Sequence, residues 1–227
     1  MEEDALVREQ IEYYRARAPD YDVMPPGDPL GPYWRQIERG LDRFQPSGSV
    51  LEIASGTGSW TLQLLRYASR ITALDSSSEM HELSRRKIGD DPRLRYLQAD
   101  VFSWRPDGRY DVVSFANWLS HVPPGRFHHL WETVRAALAP RGRVFFADVL
   151  QDAWRREELL REDFAVDPSV PVVHRSLLDG RTFRVVKVFW SADELRSTLD
   201  VLGWEVDIHP AGPFFWAEGL PRGSPRA

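Results

Sequence analysis

The 227-residue sequence contains no cysteine, which removes disulfides, thiol nucleophiles and cysteine-bound zinc or iron–sulfur sites together. Lysine is nearly missing too: of the 29 basic residues only Lys87 and Lys187 are not arginine. Long apolar runs are also lacking. None approaches the length of a membrane span, and the acidic opening "MEEDALVREQ" has no basic stretch leading into an apolar core. A cytoplasmic chain with no membrane partner is the expectation. Positive charge does not accumulate in blocks either, and with a net charge of −5 the electrostatic footprint of a nucleic-acid binder is missing.

What is present is 42% hydrophobic content, enough for one α/β domain with a core. Residues 4–18 set Leu6, Ile11, Tyr14 and Ala18 at helical spacing, with Pro19 closing the helix. "PDYDVMPPGDPLGP" holds five prolines and two glycines, which predicts an irregular wrap or lid. Beyond it helical patterns alternate with the apolar runs "SVLEIAS", "RITALD", "LRYLQAD", "YDVVSFAN" and "GRVFFADVL". Such runs suit a parallel sheet covered on both faces, hence a doubly wound α/β fold. "QDAWRREELLREDF" reads as a helix, and an inserted β-hairpin follows at about 171–190, turning at Asp179-Gly180. Ser191 and Glu194 form a capping box for a helix ending at Gly203, after which two strands pair around a Pro/Gly turn. The divisions expected are a helical cap over 1–45, a core over 46–220 and a flexible tail over 221–227.

The stretch "LEIASGTGSW", Leu51 to Trp60, is a strand, a glycine turn and a helix start, a geometry that offers backbone N–H groups to a polar or anionic ligand. A dinucleotide fingerprint needs a third glycine where Thr61 stands, which counts against a nicotinamide cofactor. Asp75 ends the second strand, Asp100 follows the third and Glu52 lies inside the first. A strand that buries a carboxylate must give it a hydrogen-bonded partner. These acceptors suit a ligand with amines and hydroxyls.

"LEIASGTGSW", "ITALDSSSEM" and "LQADVFSW", in that order and spacing, resemble the class I S-adenosylmethionine-dependent methyltransferases over roughly residues 48–150. The resemblance implies a mostly parallel, seven-stranded Rossmann-like sheet. It implies that Gly56 and Gly58, with Glu52, Ala54 and Ser55, lie by the methionyl part of the cofactor, and that Asp75 accepts the ribose hydroxyls. Asp100 would accept the adenine amino group, with Val101 and Phe102 flanking the ring and Ser76 and Met80 on its other side. Asn117 completes this set. Ala54 stands where the family's loop has its first glycine. The segment "EYYRARAPDYD" resembles the family's N-terminal cap, in which a tyrosine covers the methionine end; Tyr14 and Tyr21 are the candidates. Adjacent Tyr13 and Tyr14 point about 100° apart on a helix, so one alone faces the cleft, and Tyr14 shares the stripe of Ile11 and Ala18.

In open α/β sheets the acceptor pocket forms beyond the carboxyl ends of the strands, which selects "ANWLSHVPPGRF" and "DVLQDAW". His121 is the candidate general base for methylation of a hydroxyl, with Asp148 a second catalytic candidate. An alternative role for His121 is to orient the substrate. Trp118, His121 and Trp154 are the candidate substrate contacts; Trp34, Phe164 and Trp190 lie in or beside the non-core segments. Asp148 and Asp152 alone do not make a metal site, so no metal is expected. The function read from the sequence is methyl transfer to a small organic molecule, oxygen before nitrogen as acceptor. A protein that binds the cofactor structurally and catalyses a cyclisation or rearrangement is the alternative, and a nicotinamide-linked oxidoreductase is the other competing class. The hairpin is a candidate lid or homodimer contact.

Overall fold

Five apolar runs separated by helices become parallel neighbours in a seven-stranded sheet, in a computed structural model that describes residues 2–22, 30–150 and 171–224. The strands are β1 (Gly48–Ile53), β2 (Ala68–Asp75), β3 (Leu94–Gln98), β4 (Tyr110–Ala116), β5 (Leu138–Val149), β8 (Trp204–Ala211) and β9 (Phe214–Pro221), ordered β3-β2-β1-β4-β5-β9-β8. β9 runs antiparallel to both neighbours; the pairs from β3 to β5 are parallel. The chain leaves β1 toward β2 and returns to its other side as β4, so a crevice opens at the carboxyl ends of β1 and β4. A hairpin of β6 (Val172–Ser176) and β7 (Thr182–Val186) stands apart from this sheet, as the Asp179-Gly180 turn predicts.

Buried on both faces, the central strands carry few polar residues: Val113, Phe115 and Phe146 point into one core with Trp131 and Leu195, while Val112, Phe145 and Ala147 point into the other with Ile37, Leu41 and Phe44. The helices are α1 (Glu2–Arg17), α2 (Gly31–Phe44), α3 (Ser59–Leu64), α4 (Ser78–Ile88), α5 (Phe127–Ala137) and α6 (Ala192–Val201). α2 begins at Gly31 with Pro32 in its first turn, where a missing N–H costs nothing, and packs on the sheet as a core layer. α1 instead joins the hairpin, where Tyr13, Val173, Phe183 and Val185 form a small core of their own.

Some expectations shift. The buried positions of α1 are Val7, Gln10 and Tyr13, so the stripe is rotated from the one through Leu6, Ile11 and Tyr14. Trp34 packs on Phe214 at 5.1 Å and Trp190 on Phe127 at 4.8 Å, as core contacts rather than lid surface. Pro221 ends β9 and Arg222 N–H donates to Gly203 O at 2.8 Å, so the chain stays attached past the expected start of the tail. The helix expected over "QDAWRREELLREDF" lies outside the described residues.

The capping box is present: Ser191 Oγ accepts from Glu194 N, and the Glu194 carboxylate accepts from Ser191 N. Ser191→Ala should cost about 1 kcal/mol of stability, read as a lower denaturant midpoint at unchanged slope. An unchanged midpoint would mean that α6 is held by packing alone.

Candidate active site

Most of the residues singled out from the sequence meet in one cleft at the carboxyl ends of β1, β2 and β4. It is lined by Ala54, Gly56, Asp75, Ser76, Met80, Asp100, Val101, Phe102, Asn117 and Trp118, and closed from above by Tyr14, Tyr21 and His121. Among the described residues no three His, Cys, Asp or Glu side chains cluster as a metal site requires.

The glycine loop is shaped by backbone that side chains avoid. Ala54 at φ 53° and Gly56 at φ 53° both turn left-handed, and a Cβ on Gly56 would meet no atom within 4 Å. Space thus lies beside Gly56. Gly58 serves another purpose: a Cβ there would come within 2.2 Å of Ser84 Oγ, so this glycine lets the loop pack on α4 and is not part of the cleft lining. Ser55 is also outside the lining, and its buried hydroxyl has no hydrogen-bond partner among the described residues.

Asp75 sits at the end of β2 with Oδ2 accepting from Gly56 N–H at 2.8 Å and Oδ1 from Ser77 N–H at 2.9 Å. Burial raises its pKa, and these backbone N–H groups oppose the rise. Asp100 Oδ1 accepts from Phe102 N–H at 3.0 Å, and Phe102 lies 5.9 Å from the Trp118 ring. The two aspartates on which the resemblance places ribose and adenine therefore line one cleft, with apolar surface from Met80, Val101 and Phe102.

Glu52 is elsewhere. Its carboxyl is 1% exposed, does not line the cleft and accepts from Thr61 Oγ1 at 2.7 Å, tying α3 beneath the loop. Burial pushes its pKa up to about 8, the Thr61 hydrogen bond opposes this, and the negative Asp75 adds to it.

On the acceptor side, His121 lies in the 3-10 turn Leu119–His121 after β4. Its Nδ1 is 2.8 Å from Val186 O and its Nε2 2.8 Å from Tyr14 Oη. A carbonyl only accepts, so Nδ1 carries the hydrogen and Nε2 holds a lone pair that receives the Tyr14 hydroxyl. Burial holds the imidazole pKa well below its usual value, and the Lys187 charge pushes the same way. Tyr14 is raised by burial and then by the neighbouring Tyr21 and Tyr13, so its phenol stays protonated. Asp148 is 2% exposed and outside the cleft lining; it accepts from Ser120 N–H at 2.8 Å and Val149 N–H at 2.7 Å, and so supports the turn that presents His121. Trp154, with Asp152 and Phe164, lies outside the described residues.

Two residues of this site escape a reading of the sequence. Gln10 donates from Nε2 to His121 O at 3.0 Å and accepts from Val186 N–H at 2.9 Å, bridging α1, the turn and β7. Lys187 donates to Ser120 Oγ at 2.7 Å. Lys187 leaves the trace of a charge inside an otherwise apolar run, whereas Gln10, between Glu9 and Glu12, leaves none.

With this geometry in place, comparison with known proteins is informative. A family described as a methyltransferase domain matches residues 50–142. A solved structure described as "DhpI-SAM-HEP complex" is 41% identical, superposes with a TM-score of 0.80, and the match covers 95% of this chain and 98% of that one. The related "DhpI-SAH complex structure" is 40% identical with a TM-score of 0.78, covering 96% and 98%. Malonyl-[acyl-carrier protein] O-methyltransferase 2 of Ilyobacter polytropus is 30% identical over 129 residues, 54% of this chain and 46% of that protein. The chain spans half or less of the lengths of that protein and of the organism's enzyme 1, which it matches over 26%.

Glu52 yields a test through pH. Folded Glu52 keeps a proton up to about 8 that the unfolded chain releases near 4.5, so its stabilisation is complete below the lower value and lost as pH rises through the higher. The melting temperature of Glu52→Gln relative to wild type should therefore climb between about pH 5 and about pH 8. A constant difference would show that Glu52 is ionised throughout.

Proposed function

The chain belongs to the class I S-adenosylmethionine-dependent methyltransferases, and from that premise we propose that it methylates an oxygen of a small organic molecule, with Tyr14 and His121 receiving the proton. The residues present fit the cofactor. Asp75 and Asp100 offer carboxylates to hydroxyls and an amine, Gly56 leaves open space beside the loop, and the unpartnered Ser55 hydroxyl lies in the same loop. When bound, S-adenosylmethionine supplies an electrophilic methyl group on a sulfonium and leaves as the neutral thioether.

The observation that carries the acid–base reading is the chain Val186 O, His121 Nδ1–H, His121 Nε2, Tyr14 O–H, with both end hydrogen bonds at 2.8 Å. The Tyr14 oxygen keeps lone pairs for the hydroxyl of an acceptor. As the acceptor oxygen bonds to the methyl carbon, its proton passes to Tyr14 Oη while the phenolic proton passes to His121 Nε2. The imidazole is neutral beforehand, as burial requires, and Val186 O stabilises the imidazolium that forms. Trp118 and Asn117 line the same cleft as Tyr14 and His121, and in this reading they hold the acceptor in line. Asp148 acts as a positioning residue through Ser120.

His121→Ala and Tyr14→Phe should each lower kcat by about two orders of magnitude, and the double variant should fall little further because the two act as a unit. Affinity for S-adenosylhomocysteine should be kept in His121→Ala. A loss below about tenfold in that variant would favour a nitrogen acceptor that needs positioning alone. Asp75→Ala should weaken S-adenosylhomocysteine binding by about tenfold or more, and unchanged affinity would sink its assignment to the ribose.

A further inference from the structure

β7 pairs with β6 along one edge, and among the described residues no strand pairs with the other. Lys187 N–H donates to Pro171 O at 3.0 Å, so the alternate residues Arg184 and Val186 turn their N–H and C=O groups away from β6. Backbone groups on an unpaired edge must find other partners. Here side chains supply them. Glu9 Oε1 accepts from Arg184 N–H at 2.6 Å, Gln10 Oε1 accepts from Val186 N–H at 2.9 Å, and the His121 imidazole donates to Val186 O at 2.8 Å.

The neighbours Glu9 and Gln10 divide this work by their chemistry. Glu9 only accepts, and its second oxygen takes Arg184 Nε–H at 2.9 Å. Gln10, 5% exposed, must also donate, because its Nε2 reaches His121 O at 3.0 Å, which a carboxylate cannot serve. The bonds close into a ring: Val186 N–H to Gln10 Oε1, Gln10 Nε2–H to His121 O, and His121 Nδ1–H back to Val186 O. One amide thus holds both the strand residue that receives the imidazole hydrogen and the backbone that carries the imidazole. Ser120 also ties strand to turn through Lys187 and Val188, but those bonds hold neither Val186 N–H nor His121 O. Gln10 and Tyr14 stand four residues apart on one face of α1, and both line the cleft. The helix therefore reaches both nitrogens of His121, Nε2 directly through Tyr14 and Nδ1 through Gln10 and Val186.

We propose that Gln10 is a positioning residue for the proton transfer: by closing this ring it fixes the imidazole hydrogen on Nδ1 and aims the lone pair of Nε2 at Tyr14. The inference rests on the reading of Tyr14 and His121 as the proton-accepting pair and adds the residue that sets their geometry. It also makes the base conditional on α1. A helix lifted from the turn would take the Gln10 amide from Val186 and His121 together with the Tyr14 hydroxyl from Nε2, and nothing would then select one tautomer.

The test uses full-length protein labelled with 15N-histidine and loaded with S-adenosylhomocysteine at about pH 8, above the usual histidine range, where 15N shifts report which ring nitrogen carries the hydrogen. His121 is assigned with His121→Gln. In the wild type it should show the Nδ1–H form alone. In Gln10→Leu it should show a mixture of the two forms, while His81, His128, His129 and His209, on α4, α5 and β8, keep their shifts. Tyr14→Phe leaves the ring of bonds intact and should keep the Nδ1–H form. Should Gln10→Leu fail to fold, Gln10→Glu takes its place, since it keeps the acceptor for Val186 N–H, loses the donor to His121 O and should give the mixture too. A wild type in the Nε2–H form, or an unchanged His121 in the folded variant, overturns the proposal. So do shifts at all four control histidines, which would mean that Gln10 serves the fold at large. Failure to bind S-adenosylhomocysteine would overturn the cofactor reading alone, because the His121 comparison is then made without the ligand. A loss below about tenfold in His121→Ala, beside a His121 tautomer that depends on Gln10, would overturn the proton transfer while the ring stands.

Discussion

The carbonyl of Val186 fixes a hydrogen on Nδ1 of His121, and the hydrogen bonding at the top of the cleft follows from that one bond. Because a carbonyl cannot donate, the second nitrogen must carry a lone pair, and the Tyr14 hydroxyl occupies it at 2.8 Å. The bond exists only while β7 lies against the turn after β4. Gln10 secures this, since its amide donates to one partner's carbonyl and accepts from the other's N–H. A buried amide with both ends satisfied contributes to uniqueness as well as stability, because any slip of α1 leaves two buried backbone groups without partners.

α1 reaches this position by unequal means. Glu9 meets Arg184 through two hydrogen bonds, at 2.6 and 2.9 Å, but the pair is 26% and 44% exposed, so screening leaves it a small contribution. The apolar contact of Tyr13 with Phe183, 5.8 Å between ring centres within the hairpin's own core, supplies more. At the other end, the turn after α1 is tied to the glycine loop, where Asp22 accepts from Thr57 Oγ1 and from Lys87 Nζ, both at 2.8 Å. The cap is thus fastened at one end to the hairpin and at the other to the glycine loop. Between these fastenings Tyr14 and Tyr21 seal the cleft.

The sheet was legible in the sequence because its strands are buried on both faces, so each reads as an uninterrupted apolar run with a turn at its end. Asp75 and Asp100 were legible for a related reason: a strand end has one place in the fold, and a carboxylate there faces the crevice. Glu52, Asp148, Gln10 and Lys187 were harder. Glu52, Asp148 and Lys187 are each polar inside an apolar stretch, which announces a buried hydrogen bond without saying with what, and Gln10 stands among charged helix residues that give no sign of burial. Glu52 belongs to Thr61, nine residues on, Asp148 to the backbone of Ser120, and Lys187 to the Ser120 side chain, 67 residues back. Such pairings depend on how loops, α1 and the hairpin dock on the sheet, which periodicity does not encode. Tyr14 was read as the tyrosine facing the cleft, and it does; its partner His121 was read separately, and their hydrogen bond spans 107 positions.

The family match runs from residue 50 to residue 142, and that boundary divides the site chemically. Within it lie the glycine loop, Asp75, Asp100 and His121, on elements whose positions the sheet dictates. Outside it lie Gln10, Tyr14, Val186 and Lys187, on α1 and the hairpin, which touch the sheet little and each other extensively. The imidazole therefore lies in the matched segment, whereas the groups bonded to its two nitrogens, Val186 O and Tyr14 Oη, lie outside it. Changing α1 or the hairpin can change what the imidazole meets while leaving the glycine loop, Asp75 and Asp100 in place. What the imidazole meets is thus set by the packing of two elements against a turn, with Gln10 joining all three.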